Sequence, residues 1–201
     1  MYGCGQPTEE AMIKIIDQIK KGTENEKIIW VNMRSEPVIY INGAPHAARE
    51  PEFPHGNIQQ RSLTIQEATV VGKHFSKIVA NRAKENAEKQ IKVHVDKEYN
   101  DNPMDRVDIE ETIVVESVKD LEAVYQACRE ACNVDLQVYR IPLVEDMVPA
   151  MSDFDAIIEL LKDEPASTAC VFSCQMGKGR TTVGICTALL IKEIQLSAQL
   201  R

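Results

Sequence analysis

Ala169-Cys170-Val171-Phe172-Ser173-Cys174-Gln175-Met176-Gly177-Lys178-Gly179-Arg180-Thr181-Thr182 is the stretch on which the fold turns. Five small or apolar residues of strand length run into a glycine-containing turn, and an apolar helical pattern follows to about Ile194. A turn between a buried strand and a helix can aim successive backbone N–H groups at one point, and the helix N-terminus adds partial positive charge. Such a cradle suits a tetrahedral dianion. Gly177 and Gly179 let the chain close around it, with Gln175, Met176 and Lys178 supplying the remaining amides. The same field favours the thiolate of Cys174, since such settings lower a thiol pKa from about 8.5 to roughly 3.5–7.5. Arg180 presents a planar fork for two phosphoryl oxygens, which lysine cannot copy. Thr181 is placed to donate its hydroxyl to the sulfur. Lys178 is either a solvated lysine at the helix start or a second cation for a polyanionic substrate. A nucleotide-binding loop is excluded, because Lys178 is followed by Gly179 rather than Ser or Thr and Phe172 stands where that motif needs glycine.

Outward from this stretch, strands alternate with helices. Toward the N-terminus lie a turn-like segment, Gly3 to Pro7, a helix opened by Thr8 and closed at Gly22, and an apolar strand, Ile28 to Met33. Pro37 to Ile41 reads as a strand reaching the tight turn Asn42-Gly43, and Pro45 to Ser62 reads as loop. Thr64-Ile65-Gln66-Glu67 is a capping box for a long helix to about Gln90, whose polar last turns project into solvent. Strands are expected at Ile91 to Val95 and Thr112 to Val115, around a polar loop from Asn100 to Asp108. A helix capped at Ser117 to Asp120 then runs to about Ala131. A strand from Leu136 to Ile141, the loop Pro142 to Pro149 and a helix from Ser152 through Leu161 complete the path to Ala169. This order predicts an α/β fold with its ligand at the carboxyl ends of the strands. One domain over residues 1–201 is the economical expectation, with abrupt ends that suit a piece of a longer, multi-repeat protein.

Lys and Arg total 23 against 31 Asp and Glu, a formal charge of -8, which excludes a general attraction to nucleic acid or anionic bilayers. No run approaches the roughly 18 apolar residues of a membrane span, and the first ten residues carry no signal pattern. A cytoplasmic location is expected. The six cysteines lie in helix-like and strand-like segments, so they read as reduced thiols rather than a disulfide framework. Zinc is disfavoured, because neither Cys128 with Cys132 nor Cys170 with Cys174 sits on a short knuckle. Cys170 and Cys186 read as core residues.

The block from Cys174 to Thr181 resembles the signature loop of the protein tyrosine phosphatase superfamily, Cys-x-x-x-x-x-Arg-Ser/Thr. With its flanks it looks most like the phosphatase-like repeats of the paladin group, which are related to bacterial cysteine phytases. That resemblance extends through Tyr2-Gly3, Gln6-Pro7-Thr8, Trp30 to Gly43, Arg140-Ile141-Pro142 and Ser152 to Asp155. It implies a phosphatase fold of the dual-specificity type, a mainly parallel central sheet flanked by helices, with no metal and no cofactor. It also implies a metal-independent phosphomonoester hydrolase working through a cysteinyl-phosphate, with inositol phosphates, phosphoinositides or phosphoproteins as substrate classes and Arg34 lining the pocket with Lys178.

Four positions depart from the pattern. Ser173 stands where many superfamily members carry His, and Met33 and Ser35 replace the leucine and acidic residue expected around Arg34. The family's acid, an aspartate three residues beyond Arg-Ile-Pro, is here Glu145, with Asp146 next. Glu145 keeps the position and Asp146 keeps the shorter side chain, which inclines the sequence reading to Asp146. The alternative is a catalytically impaired module that binds phosphate or a protein partner.

Overall fold

The computed structural model describes residues 1–22, 27–50, 53–58, 65–99 and 102–199. Its elements are β1 (Tyr2–Cys4), α1 (Glu9–Gly22), β2 (Lys27–Arg34), β3 (Val38–Ile41), β4 (Ala44–Ala47), β5 (Arg49–Glu50), β6 (Phe53–Asn57), α2 (Ile65–Glu85), β7 (Gln90–Tyr99), β8 (Asn102–Val114), β9 (Val118–Asp120), α3 (Leu121–Cys132), β10 (Asp135–Leu143), α4 (Met151–Leu161), β11 (Ala169–Ser173) and α5 (Gly179–Gln199).

Four strands in the order β1-β11-β2-β10 pair in parallel throughout. Parallel strands need crossovers, and helices serve as crossovers that cover both faces. The alternation along β2 shows the result. Ile28 and Trp30 join Met12, Ile16, Val124, Tyr125 and Cys128 of α1 and α3 in one buried cluster. Ile29, Val31 and Met33 join Ile157, Leu161, Phe172 and Ala188 in another, under α4 and α5. The unbroken apolar run Ile28 to Val31, rather than an apolar residue at every second position, is what burial on two faces requires. α1 begins where Thr8 Oγ1 accepts from the Ala11 amide at 3.2 Å. The α/β architecture with a mainly parallel central sheet stands as expected.

A second layer departs from the sequence expectation. The turn-like start contains β1, whose three residues pair with Val171, Phe172 and Ser173; the glycines around Cys4 hide a strand that exists only because the exposed edge of β11 accepts it. The segment read as loop from Pro45 to Ser62 contains β4, β5 and β6. The polar loop from Asn100 to Asp108 is largely the beginning of β8, which pairs with β7 from Gln90 to Tyr99. Asp105, Arg106 and Asp108 interrupt any apolar alternation in its sequence, so periodicity could not reveal it. Helix α3 is capped by Asp120, whose Oδ1 accepts from the Ala123 amide at 2.8 Å, not by Ser117. Cys186 is exposed, not in the core, whereas Cys170 is buried. Thr64 of the predicted capping box lies outside the described residues. The last turns of α2 face solvent as expected except for Ala83, which packs with Ile39, Ile41, Val93 and Val115 in a third cluster.

Candidate active site

β11 ends at Ser173 and α5 begins at Gly179, so residues 174–178 are a loop held at the carboxyl end of the sheet. β1 braces it from the side. The Cys174 amide donates to the Cys4 carbonyl at 3.4 Å, and the Gln6 amide donates to the Gln175 carbonyl at 3.0 Å. Gly177 takes φ +70, and a Cβ there would lie 2.5 Å from the Gly5 nitrogen and 2.6 Å from the Cys4 carbonyl carbon. No other residue fits, because both the backbone conformation and the space forbid a side chain. Asn57, at the end of β6, donates its side-chain amide to Gln175 Oε1.

Cys174 is buried, with Thr181 Oγ1 donating to its Sγ at 3.0 Å. Burial works against the thiolate, but the Thr181 hydroxyl and amide, the Gly177 amide and the Arg180 charge outweigh it, and the thiol titrates below its ordinary value. Cys4 behaves oppositely: burial, and then the charge on Cys174, push it up to about 11. Behind the loop, Trp30 Nε1 donates to Ser173 Oγ at 2.9 Å, so the residue standing in place of the usual His is tied to the core rather than to the sulfur.

Arg180 is 8% exposed and lies between two carboxylates. Its Nη1 and Nη2 donate to Glu36 Oε2 and Oε1 at 2.8 and 3.1 Å, Nη1 also donates to the Leu143 carbonyl at 3.3 Å, and Nη2 lies 3.4 Å from Glu145 Oε1. Glu36 has no exposed surface and also accepts from Arg34 Nε at 2.9 Å. Burial alone would raise its carboxyl, but the Arg34 charge and the Arg180 hydrogen bonds hold it down at about 2. Arg34 is itself buried, beside Arg180 and Glu145.

The predicted site residues are therefore distributed unevenly. Cys174, Thr181 and Arg180 converge with the Gly177 turn, and Arg34 and Glu145 meet them through Glu36 and Arg180. Met176, Lys178 and Gly179 are exposed on the loop and helix start, and Gln175 is half-buried. Asp146 is exposed, with φ +56. Sequence reasoning missed Glu36, Asn57 and the bracing by Cys4 and Gly5. Only Glu36 left a signal: the opposite charges Arg34 and Glu36 stand between the apolar stretches of β2 and β3, a pattern that buried pairing explains. Among the described residues no group of three or more His, Cys, Asp and Glu is spaced to hold a metal.

Known proteins resemble this chain in sequence and in fold. Human paladin is 26% identical over 196 residues, which cover 94% of this chain and 19% of paladin, and zebrafish paladin is 25% identical over 207 residues, covering 95% and 23%. The chain thus spans about a fifth of the length of these curated relatives. The PTP-like myo-inositol phosphatase from Mitsuokella multacida, solved with myo-inositol-(1,3,4,5)-tetrakisphosphate, superimposes with a TM-score of 0.71 at 17% identity, over 94% of this chain and 28% of that one. A PTP-like phytase from Bdellovibrio bacteriovorus gives 0.58 at 17% identity, over 91% and 56%. Residues 31–192 match the model of the family described as PTP-like phytase, inositol hexakisphosphate. A chain with this sheet, this cysteine-to-arginine loop and that match over most of its length belongs to the PTP-like phytase family.

Proposed function

We propose that the chain is one metal-independent phosphomonoester hydrolase domain. The observation that carries the reading is the 3.0 Å hydrogen bond from Thr181 to Cys174 in a loop that also presents the Gly177 amide and Arg180. The Cys174 thiolate attacks phosphorus and the bond to the leaving oxygen breaks. Amides of residues 175–179 and the Arg180 guanidinium take up the charge of the equatorial oxygens. A carboxylic acid gives its proton to the departing alkoxide, then, as carboxylate, removes one from the water that cleaves the cysteinyl-phosphate. Phosphate leaves and the thiolate returns to the Thr181 hydroxyl.

The proximity of Glu145 to Arg180 supports giving it the acid role for which the sequence alone inclined to Asp146. An acid must come within about 3 Å of the leaving oxygen, and Arg180 marks where the phosphoryl group sits. Arg34, whose Nε donates to Glu36, and the exposed Lys178 are proposed to meet further negative charge on the substrate. Inositol phosphates, phosphoinositides and phosphoproteins are the proposed classes; the Mitsuokella neighbour, solved with an inositol tetrakisphosphate, favours the first. Further repeats of a longer protein are proposed as partners, on the strength of the paladin coverage. No helix among the described residues is long and apolar enough to cross a membrane.

A second reading, a phosphate-binding module without useful turnover, draws on the Glu145–Arg180 contact, because an arriving phosphate must compete with that carboxylate. Phosphate release from inositol hexakisphosphate, phosphoinositide vesicles, phosphopeptides and an aryl phosphate, each assayed with chelator present, separates the two. Turnover of the aryl phosphate with loss in Cys174→Ser supports the hydrolase. Binding of phosphate without release from any of the four, the aryl ester included, supports the module. Loss with Glu145→Gln but not Asp146→Asn, on substrates with poor leaving groups, assigns the acid; the reverse returns it to Asp146.

A further inference from the structure

We infer that the pocket bounded by β3, β4, α2 and β7 is a second binding site, built for a free single-chain amphiphile with an anionic head and an aliphatic tail. The inference is independent of the phosphatase reading, since no residue of the Cys174 loop lines this pocket.

The pocket has a volume of about 400 Å³, within the range of about 300–1,000 Å³ common to small-molecule sites. Its floor is Ile39 and Ile41 of β3, one wall is Phe75 and Val79 of α2, and the other is Ile91 and Val93 of β7. All six belong to the third apolar cluster, the least filled of the three. Among the described residues that cluster has five buried members and six half-buried ones, against fourteen and six in the cluster under α1 and α3. Half-buried apolar surface on several sides of one hollow is stabilised by any aliphatic chain that displaces the water there. A tail in this place completes a core that the chain leaves open.

The charged groups select the head. His46 is the cross-strand partner of Ile39, so its ring lies on the same face of the sheet, toward the pocket. Arg49 is close enough that its charge, after burial, pushes the His46 imidazole pKa down. Arg82 stands one turn beyond Val79 on the same face of α2 and lines the pocket from the opposite wall. The alternation of β7 turns Lys92 and His94 away from the face of Ile91 and Val93, and Lys92 meets Glu110 there at 2.6 Å, so neither charge counts toward the pocket. No Asp or Glu is among the described lining residues, in a chain whose 31 acidic residues outnumber its 23 basic ones. An apolar hollow with basic groups on both sides and no carboxylate favours a negative head, which the Arg82 guanidinium can hold by charge-assisted hydrogen bonds. The formal charge of -8 opposes approach to an anionic bilayer, which makes the occupant a free chain rather than a membrane lipid.

The test uses the full 201-residue chain with carbon-13 in its isoleucine methyl groups, and decanoate below its micellar concentration as the probe. Decanoate should shift the Ile39, Ile41 and Ile91 methyl signals saturably, while those of Ile28 and Ile29 in the central sheet stay in place. Decyltrimethylammonium, with the same tail and the opposite head, should bind at least tenfold more weakly. Acetate, the head without the tail, should move none of the three signals. Arg82→Glu should weaken decanoate binding at least fivefold. Absence of a saturable shift at Ile39, Ile41 and Ile91 in the parent overturns the inference, a result that needs no variant. Equal affinity for the two heads, or parent-like decanoate affinity in folded Arg82→Glu, overturns it as well. Shifts produced by phosphatidylglycerol vesicles but not by free decanoate give the pocket to a membrane, and shifts that follow protein concentration with no probe added give it to a second copy. Either outcome removes the free amphiphile.

Discussion

Strand β2 and strand β7 are both backbone ladders, but they live in different surroundings. β2 has a partner on each side and a helical layer on each face, and every described side chain from Ile28 to Arg34 is buried. β7 has one partner, β8; Lys92 and Glu110 pair across that hairpin in solvent at 2.6 Å, and Val114 is 51% exposed. The candidate chemistry is gathered at the end of the first kind of strand. A loop that must hold a thiolate, a buried arginine and inward amides needs backbone constrained from several directions, and only the four-stranded sheet supplies it.

If that contrast is right, substitutions should fall steeply in effect from the sheet end to the hairpin. Cys174→Ser should abolish turnover, by at least about 10³-fold, while phosphate still binds, because the loop amides survive and the nucleophile does not. Stopped assays of phosphate release check it, and equal activity would break the scheme outright. Arg180→Lys should cost about 10²- to 10³-fold in kcat/KM, since a point charge cannot copy the planar fork of a guanidinium.

Gly177→Ala should destabilise the chain by about 1–3 kcal/mol, read from urea midpoints, and weaken phosphate binding, as φ +70 and the Gly5 backbone leave no room for a methyl group. Acid should act through the same end of the molecule. The Glu36 carboxyl is held at about 2, below its ordinary value of 4.5. Its contribution to stability is therefore complete above pH 4.5 and lost as the pH falls toward 2. Urea midpoints measured from pH 6 to 2.5 should drop more steeply in the parent than in Glu36→Gln. Last and smallest, Lys92→Ala should move the melting temperature by less than about 2 °C, because its ion pair is solvated. A shift of several degrees would show that the hairpin is more tightly coupled to the rest than its pairing suggests.

Legibility followed the same division. The apolar run of β2, the capped α1 and the strand-turn-helix around Cys174 were readable because burial on a sheet face or helix stripe imposes a period on the residues. β1 was not, since Tyr2-Gly3-Cys4 has no strand character until β11 offers it an edge. The end of β8 was legible in Thr112 to Val115, part of an apolar face packed in the third cluster, but its beginning was not, since Asp105, Arg106 and Asp108 interrupt any apolar alternation there. In the site, Cys174, Arg180 and Thr181 were legible from spacing along one turn. Glu36, 144 residues from Arg180 in sequence, was not.

Residues 169–182 by themselves determined a strand, a tight glycine turn that starts at Cys174 and a helix with Arg180 and Thr181 in its first turn, because these partners are neighbours along the chain and their spacing is their geometry. Which carboxylates stand beside Arg180 and why position 177 admits only glycine were decided by tertiary structure alone. Those facts depend on β2, β10 and β1 arriving at one end of the sheet, and distances between segments far apart in sequence are set by packing, which no local pattern records.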